Sequence, residues 1–286
     1  MSRRWPALNL RFDSPEPDLL ALQGTVTATL ADFNPTGVEE CEGSWIVCFP
    51  TVDDRDRAAR ALRVATGGVA VAMSPIEIDD RDWAARSQAA LGPVRVGGLI
   101  IVPPWQASSL RPSPSITVIR IQPSMGFGTG HHATTRLCLL ALQSARVQGR
   151  SVLDLGTGSG VLAIAAALLG ASPVTAIDHD PDAIASAREN LALNGVADRV
   201  RLEEADFRRV SCLRGDLVLA NLTGGMLTRN AAEVVRTVVP GGRLVLSGFA
   251  AGEEPGVLDA FVPPATLIAR ETEDGWNALA LRVTAA

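Results

Sequence analysis

The sequence predicts an α/β fold with a parallel sheet, preceded by a small α+β domain. Strands and helices in the first 74 residues follow the order β-α-β-β-α-β, which is the split, ferredoxin-like pattern. From residue 150 onward, short apolar strands alternate with helices, as in a parallel sheet covered on both faces. Between them, a less regular stretch predicts a linker. We therefore expect domains at 1–74 and 96–286, with a linker and short helix around Trp83 at 75–95.

The elements of the first domain follow from periodicity and from turn residues. Alternating apolar residues predict strands, whereas apolar residues on one side, as in 18–31, predict a helix. The predicted strands are 7–12, 37–40, 44–49 and 69–73, and the predicted helices are 18–31 and 53–65. For Cys41 and Cys48 there are two alternatives, a facing pair across the hairpin or separate burial, and burial is favoured.

The second domain begins with two apolar strands, 99–102 and 116–121. Strands and helices then alternate from residue 151, and turn residues such as Asn194-Gly195 end the helices. The predicted strands are 151–155, 174–177, 200–203, 217–220 and 244–247, and the predicted helices are 161–169, 184–193 and 227–238. Ligands of such sheets bind at the carboxyl ends of the strands, near the switch point of strand order.

Composition excludes several classes of protein. The chain has 286 residues, 47% hydrophobic and 20% charged, with a net charge of −5, so no basic surface indicates nucleic-acid binding. The four cysteines are scattered, which indicates reduced thiols and a cytoplasmic protein. The N-terminus lacks the apolar run of a signal peptide, and no run of about 18 apolar residues predicts a membrane span. We expect a monomer.

A glycine-rich turn carries the chemistry. Predicted strand 151–155 enters Gly156-Thr157-Gly158-Ser159-Gly160 and then a helix, and glycine lets a ligand approach the backbone. Asp178 ends the next strand, where an acidic residue meets ribose hydroxyls. The dinucleotide pattern G-x-G-x-x-G would need glycine at 161, where Val161 stands. Asp154 and Asp206 suit a cationic ligand better than a phosphate.

Asn221 follows the predicted strand 217–220 and has two interpretations. Its side-chain carbonyl can accept a hydrogen bond from a target nitrogen and aim the lone pair at a methyl carbon. Alternatively, it only caps a turn. The residues themselves favour neither.

Several segments together resemble the ribosomal protein L11 methyltransferase family, from about Asp80 to Phe249. They are GFGTGHHATTRL at 126–137, VLDLGTGSGVLAIAA, IDHDPDAI, RENLALNGV, LANL and PGGRLVLSGF. The resemblance implies a Rossmann-like class I methyltransferase domain behind a ferredoxin-like recognition domain. It also implies S-adenosylmethionine as cofactor and transfer of methyl groups to lysine side chains and the N-terminal amine of a protein, most simply ribosomal protein L11.

The resemblance also implies the site residues. Asn221 is the expected catalytic residue. The expected cofactor-binding residues are Phe127, Gly128, Thr134, Thr135, Gly156, Gly158, Asp178, Asp206, Asn221 and Leu222. Thr134 and Thr135 are expected to cap the following helix. The chain departs from the family at Thr223-Gly224-Gly225, where a bulkier residue and then alanine are more usual.

Other interpretations remain to be weighed. His131 and His132 suggest a metal, but no cysteine or carboxylate stands at zinc spacing around them, so no metal site is predicted. The same cofactor could serve another protein or a small amine. Val161, where the dinucleotide pattern needs glycine, argues against an NAD-dependent oxidoreductase. In a non-catalytic cofactor-binding module, Asn221 would have only a structural role. The chain contains arginine but no lysine, so it has no lysine of its own to methylate.

Overall fold

The structure, a computed structural model, describes residues 4–12, 18–33, 35–41, 43–67, 71–79, 92–111, 113, 115–123, 130–209 and 213–284. The chain forms two compact units, residues 1–90 and residues 91–286. In the described residues, no helix is both long enough and apolar enough to cross a membrane.

The first unit has the predicted β-α-β-β-α-β order. Its antiparallel sheet has the strand order β2-β3-β1-β4, and the two helices pack against each other and on the sheet. Its core contains the edge-to-face pair Phe12 and Trp45, with ring centroids 5.0 Å apart, together with Val26 and Leu62 from the helices. The elements are β1 Arg4–Phe12, α1 Asp18–Leu30, β2 Gly37–Cys41, β3 Ser44–Cys48, α2 Val52–Ala65 and β4 Val71–Asp79.

Two details of this unit differ from the expectations. Strand β4 continues to Asp79 because it pairs with β1 along its whole length, so it extends five residues beyond the expected boundary at 74. The rest of the expected linker, with Trp83, lies largely outside the described residues. In the β2–β3 hairpin Cys41 faces Ser44 and Cys48 faces Gly37, so the register excludes a facing cysteine pair.

The second unit contains a three-stranded and a seven-stranded sheet. The small sheet has the order β5-β6-β7, and the large one has the order β10-β9-β8-β11-β12-β14-β13. The elements are β5 Val94–Val96, β6 Leu99–Val102, α3 Pro104–Ala107, β7 Thr117–Arg120, α4 Ala133–Ser144, β8 Val152–Leu155, α5 Val161–Leu168, β9 Val174–Asp178, α6 Pro181–Leu193, β10 Val200–Glu204, β11 Gly215–Asn221, α7 Gly224–Arg229, α8 Ala231–Arg236, β12 Val238–Ala250, α9 Glu254–Phe261, β13 Ala265–Glu273 and β14 Trp276–Val283.

The large sheet places the candidate site. Strands β10, β9, β8, β11 and β12 are parallel, and β14 is antiparallel to both β12 and β13. Strand order reverses between β8 and β11, so the carboxyl ends of these strands form the switch point where ligands of such sheets bind. Helix α5 is buried along nearly its whole length between neighbours, which fixes the turn that precedes it.

The predicted helix 227–238 is wrong in its extent. Two short helices, α7 and α8, take its place, and they meet at Asn230, whose side chain donates to the carbonyl of Met226 at 2.8 Å. The backbone amide of Asn230 donates to the same carbonyl at 3.1 Å, so α7 ends at a residue that bonds Met226 through both its backbone and its side chain. Residue 238 already belongs to β12, which is much longer than predicted. The hairpin of β13 and β14, with β5, α3 and α9, had no counterpart among the predicted elements.

Candidate functional site at the carboxyl edge of the parallel sheet

The glycine turn between β8 and α5 is shaped by backbone hydrogen bonds. The amides of Gly156 and Thr157 both donate to the carbonyl of Ile177 at 2.9 Å. Gly156, Gly158 and Gly160 have φ of +71°, +54° and +83°, a region that favours glycine. A Cβ on Gly156 would lie 2.6 Å from Cδ2 of Leu222, at the end of β11. The turn therefore touches the ends of both neighbouring strands.

Asp178 is joined directly to this turn. Its Oδ2 accepts the amide of Gly158 at 3.0 Å, and its Oδ1 accepts the amide of Asp180 at 3.1 Å. The carboxylate is 9% exposed, so these two bonds hold it in one orientation at the end of β9. The sequence prediction that Asp178 and the glycine turn form one site is consistent with this contact.

Asp154 lies below the turn and is fully buried. The hydroxyl of Thr157 donates to its Oδ2 at 2.7 Å, while Oδ1 has no hydrogen-bond partner among the described residues. Burial raises the pKa of Asp154 to about 7, and the charge of Asp178 adds to this effect. Near neutral pH the side chain is therefore close to its own midpoint of protonation.

Asp206 stands at the third strand end, but its carboxylate is already paired. Arg208 donates from Nε and Nη2 to both carboxylate oxygens, at 2.7 to 3.0 Å. The hydrogen bonds from Arg208 hold the pKa of Asp206 below its ordinary value. The backbone brings Asp206 next to Asp178, because the amide of Ala205 donates to the carbonyl of Asp178 at 2.8 Å.

Asn221 ends β11 and is half-buried. Among the described residues none forms a hydrogen bond with its side-chain amide. The cap of the following helix α7 is Thr223, whose Oγ1 accepts the amide of Met226 at 3.4 Å. The turn-capping role left open for Asn221 thus belongs to Thr223, which favours the positioning interpretation of Asn221.

Helix α4 supplies the two threonines. The residue that caps this helix is His132, whose Nδ1 accepts the amide of Thr134, so the expectation that Thr134 and Thr135 cap it is wrong. Both threonines lie inside the first turn and are buried, and Oγ1 of Thr135 has no hydrogen-bond partner among the described residues. One turn later, burial raises the pKa of the Cys138 thiol, the charge of Asp154 raises it further, and a hydrogen bond with Ser247 lowers it.

Phe127 and Gly128 lie in 124–129, outside the described residues. The described part of the chain contains no group of three or more histidine, cysteine or carboxylate side chains that could hold a metal ion.

Residues at the start of α4 and in the β13–β14 hairpin that were not predicted as cofactor ligands contact one another next to Thr135. The His132 ring packs edge-to-face on Trp276, with centroids 4.7 Å apart, and burial lowers the pKa of His132 to about 4. Arg136 forms ion pairs with Glu273 and Asp274 in the hairpin of β13 and β14. Arg136 directly follows Thr135 in the sequence, but nothing in the sequence indicates its distant partners.

Comparison with known proteins identifies the family. Residues 38–284 match the family described as Ribosomal protein L11 methyltransferase (PrmA). The chain belongs to this family. It is accordingly a methyltransferase with S-adenosylmethionine as its methyl donor, and the resemblance inferred from the motifs is confirmed.

Individual family members agree with this assignment. The chain is 36% identical to the ribosomal protein L11 methyltransferase of Geobacter sulfurreducens, over 99% of both chains. It is 45% identical to that of Geobacter metallireducens, over 70% of this chain and 66% of that protein. The crystal structure of ribosomal protein L11 methylase from Lactobacillus delbrueckii subsp. bulgaricus is 29% identical and has a TM-score of 0.62. That similarity covers 68% of this chain and 98% of the other.

The residues present fit S-adenosylmethionine. Thr135 Oγ1 and Asp154 Oδ1 are buried polar atoms without partners among the described residues, and such atoms are costly unless a ligand or water satisfies them. A Cβ on Gly156 would collide with Leu222, so glycine at this position lets the residue that follows Asn221 pack against the turn. Asp178, at the end of β9, provides negative charge that suits a cationic ligand, whereas the charge of Asp206 is already balanced by Arg208.

Proposed function

We propose that this methyltransferase modifies amino groups of a protein, namely lysine side chains and the N-terminal amine, and that its substrate is ribosomal protein L11. The observation that carries the chemical part is the uncommitted side chain of Asn221 beside the glycine turn. The substrate rests on the names of the family members, which are ribosomal protein L11 methyltransferases.

The cofactor-binding residues of the proposal come from several parts of the second unit. Gly156 and Gly158 contribute the turn, and Asp178 meets the ribose hydroxyls. Thr135 reaches the cofactor from α4. The remaining proposed contacts are Phe127, Gly128, Thr134, Asp206, Asn221 and Leu222. Asp206 contributes only when Arg208 leaves it an acceptor lone pair.

Asn221 orients the methyl acceptor. S-adenosylmethionine, when bound, supplies a methyl group on a positively charged sulfur. The Oδ1 atom of Asn221 accepts a hydrogen bond from a neutral amine, which fixes the direction of the nitrogen lone pair. Burial lowers the pKa of His132, at the start of α4, to about 4, so its ring is neutral at neutral pH. The neutral amine becomes a methylated ammonium when it takes up the methyl group, and this ammonium then loses a proton to water, so no dedicated base is needed.

An Asn221→Ala variant tests this role. We expect turnover on ribosomal protein L11 to fall by about 100-fold or more, because positioning of the acceptor is lost, while S-adenosylhomocysteine still binds. Transfer of radiolabelled methyl groups measures turnover, and titration calorimetry measures binding. The matched control is Asn230→Ala, which removes an asparagine whose amide only bonds Met226. Equal turnover in the two variants would contradict the role of Asn221.

The absence of lysine from the chain makes the methylation assay specific for the substrate. The chain contains no lysine, so label found on lysine after hydrolysis comes from the substrate and not from the enzyme itself. Label on L11 lysines supports the proposed substrate. Label only on added small amines, or on another protein, would instead favour the same chemistry on a different substrate. Binding of NAD in place of S-adenosylhomocysteine would contradict the whole proposal.

The first unit is the proposed substrate-recognition domain. It has a hydrophobic core of its own, built from both helices and the sheet, which supports folding independent of the second unit. Removal of residues 1–90 is expected to leave S-adenosylhomocysteine binding intact and to abolish methylation of L11. Methylation at the rate of the whole chain would contradict this assignment.

The proposal extends to the setting of the reaction. We propose a cytoplasmic enzyme, because ribosomal proteins are its substrates, and a monomer that does not bind nucleic acid directly. The net charge of −5 supports the last point, since binding to phosphates requires a basic surface. Light scattering after gel filtration and a filter-binding assay with ribosomal RNA test the two points.

A further inference from the structure

Arg136 uses its whole guanidinium group for contacts that lie far apart in the sequence. Nε donates to Oε1 of Glu273 at 2.8 Å, and Nη2 donates to Oδ2 of Asp274 at 2.9 Å. Nη1 donates to the carbonyl of His131. The Arg136 side chain itself is only 18% exposed. We call Arg136, Glu273 and Asp274 the arginine clamp.

The two acids sit on a tight hairpin turn. Asp274 and Gly275 have φ of +50° and +76°, the conformation of a two-residue Asp-Gly turn between antiparallel strands. Glu273 and Trp276 pair across the end of that hairpin. The turn therefore presents two carboxylates to α4, while Trp276 packs on His132.

The other side of the clamp is the start of α4. His131 directly precedes His132, the cap of the helix, and its Nε2 lies 3.0 Å from the carbonyl of Gly92. Thr134 and Thr135 form the first turn, with Oγ1 of Thr134 lying 2.8 Å from Nδ1 of His132. The guanidinium group therefore links the carbonyl of His131, which leads into the helix, to the hairpin. Arg136 itself directly follows Thr135, so this link lies next to the threonine.

We propose that Arg136 is a positioning residue for the cofactor. The arginine clamp holds the first turn of α4 against the β13–β14 hairpin, so the hydroxyl of Thr135 is oriented before S-adenosylmethionine arrives. This inference rests on the proposed function, in which Thr135 contacts the cofactor. It adds a second, non-contacting determinant of cofactor affinity that the glycine turn does not provide.

A clamp of this kind differs from an ordinary stabilising ion pair in what its loss changes. Asp274 is 72% exposed and Glu273 is 36% exposed, and exposed ion pairs contribute little to global stability. Loss of the arginine contacts should instead leave the first turn of α4 less ordered. A ligand would then have to order this turn when it binds, which costs part of its binding free energy. Affinity should therefore fall more than stability does.

The test uses the full chain and S-adenosylhomocysteine in titration calorimetry. We expect Arg136→Gln to weaken binding about tenfold, and Arg136→Lys about threefold, because lysine restores the charge but not the three directed bonds. The control is Arg236→Gln, which breaks the ion pair with Glu233 at the other end of the parallel strands, just before β12 begins. Its affinity should match that of the unmodified chain.

A second pair of variants separates the possible failures. Thr135→Val removes the buried hydroxyl that has no partner in the described residues, so it should weaken binding without destabilising the chain. If Thr135→Val binds normally, the proposed cofactor contact is wrong. If Thr135→Val binds weakly but Arg136→Gln binds like Arg236→Gln, only the positioning role is overturned. Asp274→Asn, read in the same way with an expected two- to threefold loss, replaces Arg136→Gln if that variant does not fold.

Discussion

The two sides of the candidate site are held in place by different kinds of interaction. The glycine-turn side is fixed by backbone bonds between neighbouring strands, such as the amides of Gly156 and Thr157 on the carbonyl of Ile177. The α4 side is fixed by side chains, above all Arg136, whose partner Glu273 lies 137 positions away. The first side follows from local sequence and strand order. The second side depends on the β13–β14 hairpin, which lies at the opposite end of the domain's sequence but packs on α4 in space.

Because of this difference, we expect the two sides to respond differently to substitutions and to pH. Backbone-defined geometry should be intolerant of any added side chain, whereas side-chain-defined geometry should respond to charge. A variant on the glycine-turn side is thus expected to have the largest effect, and a titrating group on the α4 side the smallest.

The strongest test of the backbone-defined side is Gly248→Ala. Gly248 has φ of +95°, and a Cβ there would lie 2.4 Å from the carbonyl oxygen of Leu222, just after Asn221. We expect the free energy of unfolding to fall by about 4 kcal/mol, through strain and displacement of that backbone. Denaturation in urea measures it. Gly252→Ala, with no atom within 4 Å of the added Cβ, should change little, and equal losses in both would contradict the expectation.

Asp154 gives the second effect, through pH. Its pKa of about 7 in the folded chain lies above the ordinary value, so folding binds a proton between about pH 4 and pH 7. The free energy of unfolding should therefore fall by about 3 kcal/mol as pH rises from about 5 to 8, and Asp154→Asn should remove that fall. Thermal unfolding across pH measures the difference.

A matched control is available for Asp154. Hydrogen bonds from Ser151 lower the pKa of Asp216, so Asp216→Asn should leave the slope between pH 5 and 8 unchanged. A wild-type slope that survives in Asp154→Asn would show that another group titrates in this range.

His132 gives the smallest effect and the opposite sign. Its pKa is lowered from 6.5 to about 4, so the unfolded chain takes up a proton first and stability is lost as pH falls from about 6.5 to 4. The shift corresponds to about 3 kcal/mol over this range, and screening by solvent at the partly exposed ring reduces the expected loss to about 1 kcal/mol. His132→Asn keeps an acceptor for the amide of Thr134 but cannot titrate, so it should lose this dependence. An unchanged dependence would place the titration elsewhere.

The order of the strands and the main motif residues could be predicted because they depend on local patterns. Asp154, Gly156 and Asp178 stand next to buried strands, and parallel strands bring their carboxyl ends to one edge. The break at Asn230 could not be predicted in the same way, because an apolar pattern continues through it. The cap of α4 was also misassigned: His132 accepts the amide of Thr134, and its ring packs on Trp276, which is distant in the sequence.

The sequence by itself determined the two-domain order, the parallel sheet, the glycine turn and the family, because each depends on spacing between near neighbours. The tertiary structure decided which polar atoms are satisfied. Thr223 takes the capping role and leaves the Asn221 amide without a partner among the described residues, and Arg208 occupies Asp206. It also brought Glu273, Asp274 and Trp276 to the start of α4. Burial and partners are set by segments distant in the chain, so no local pattern encodes them.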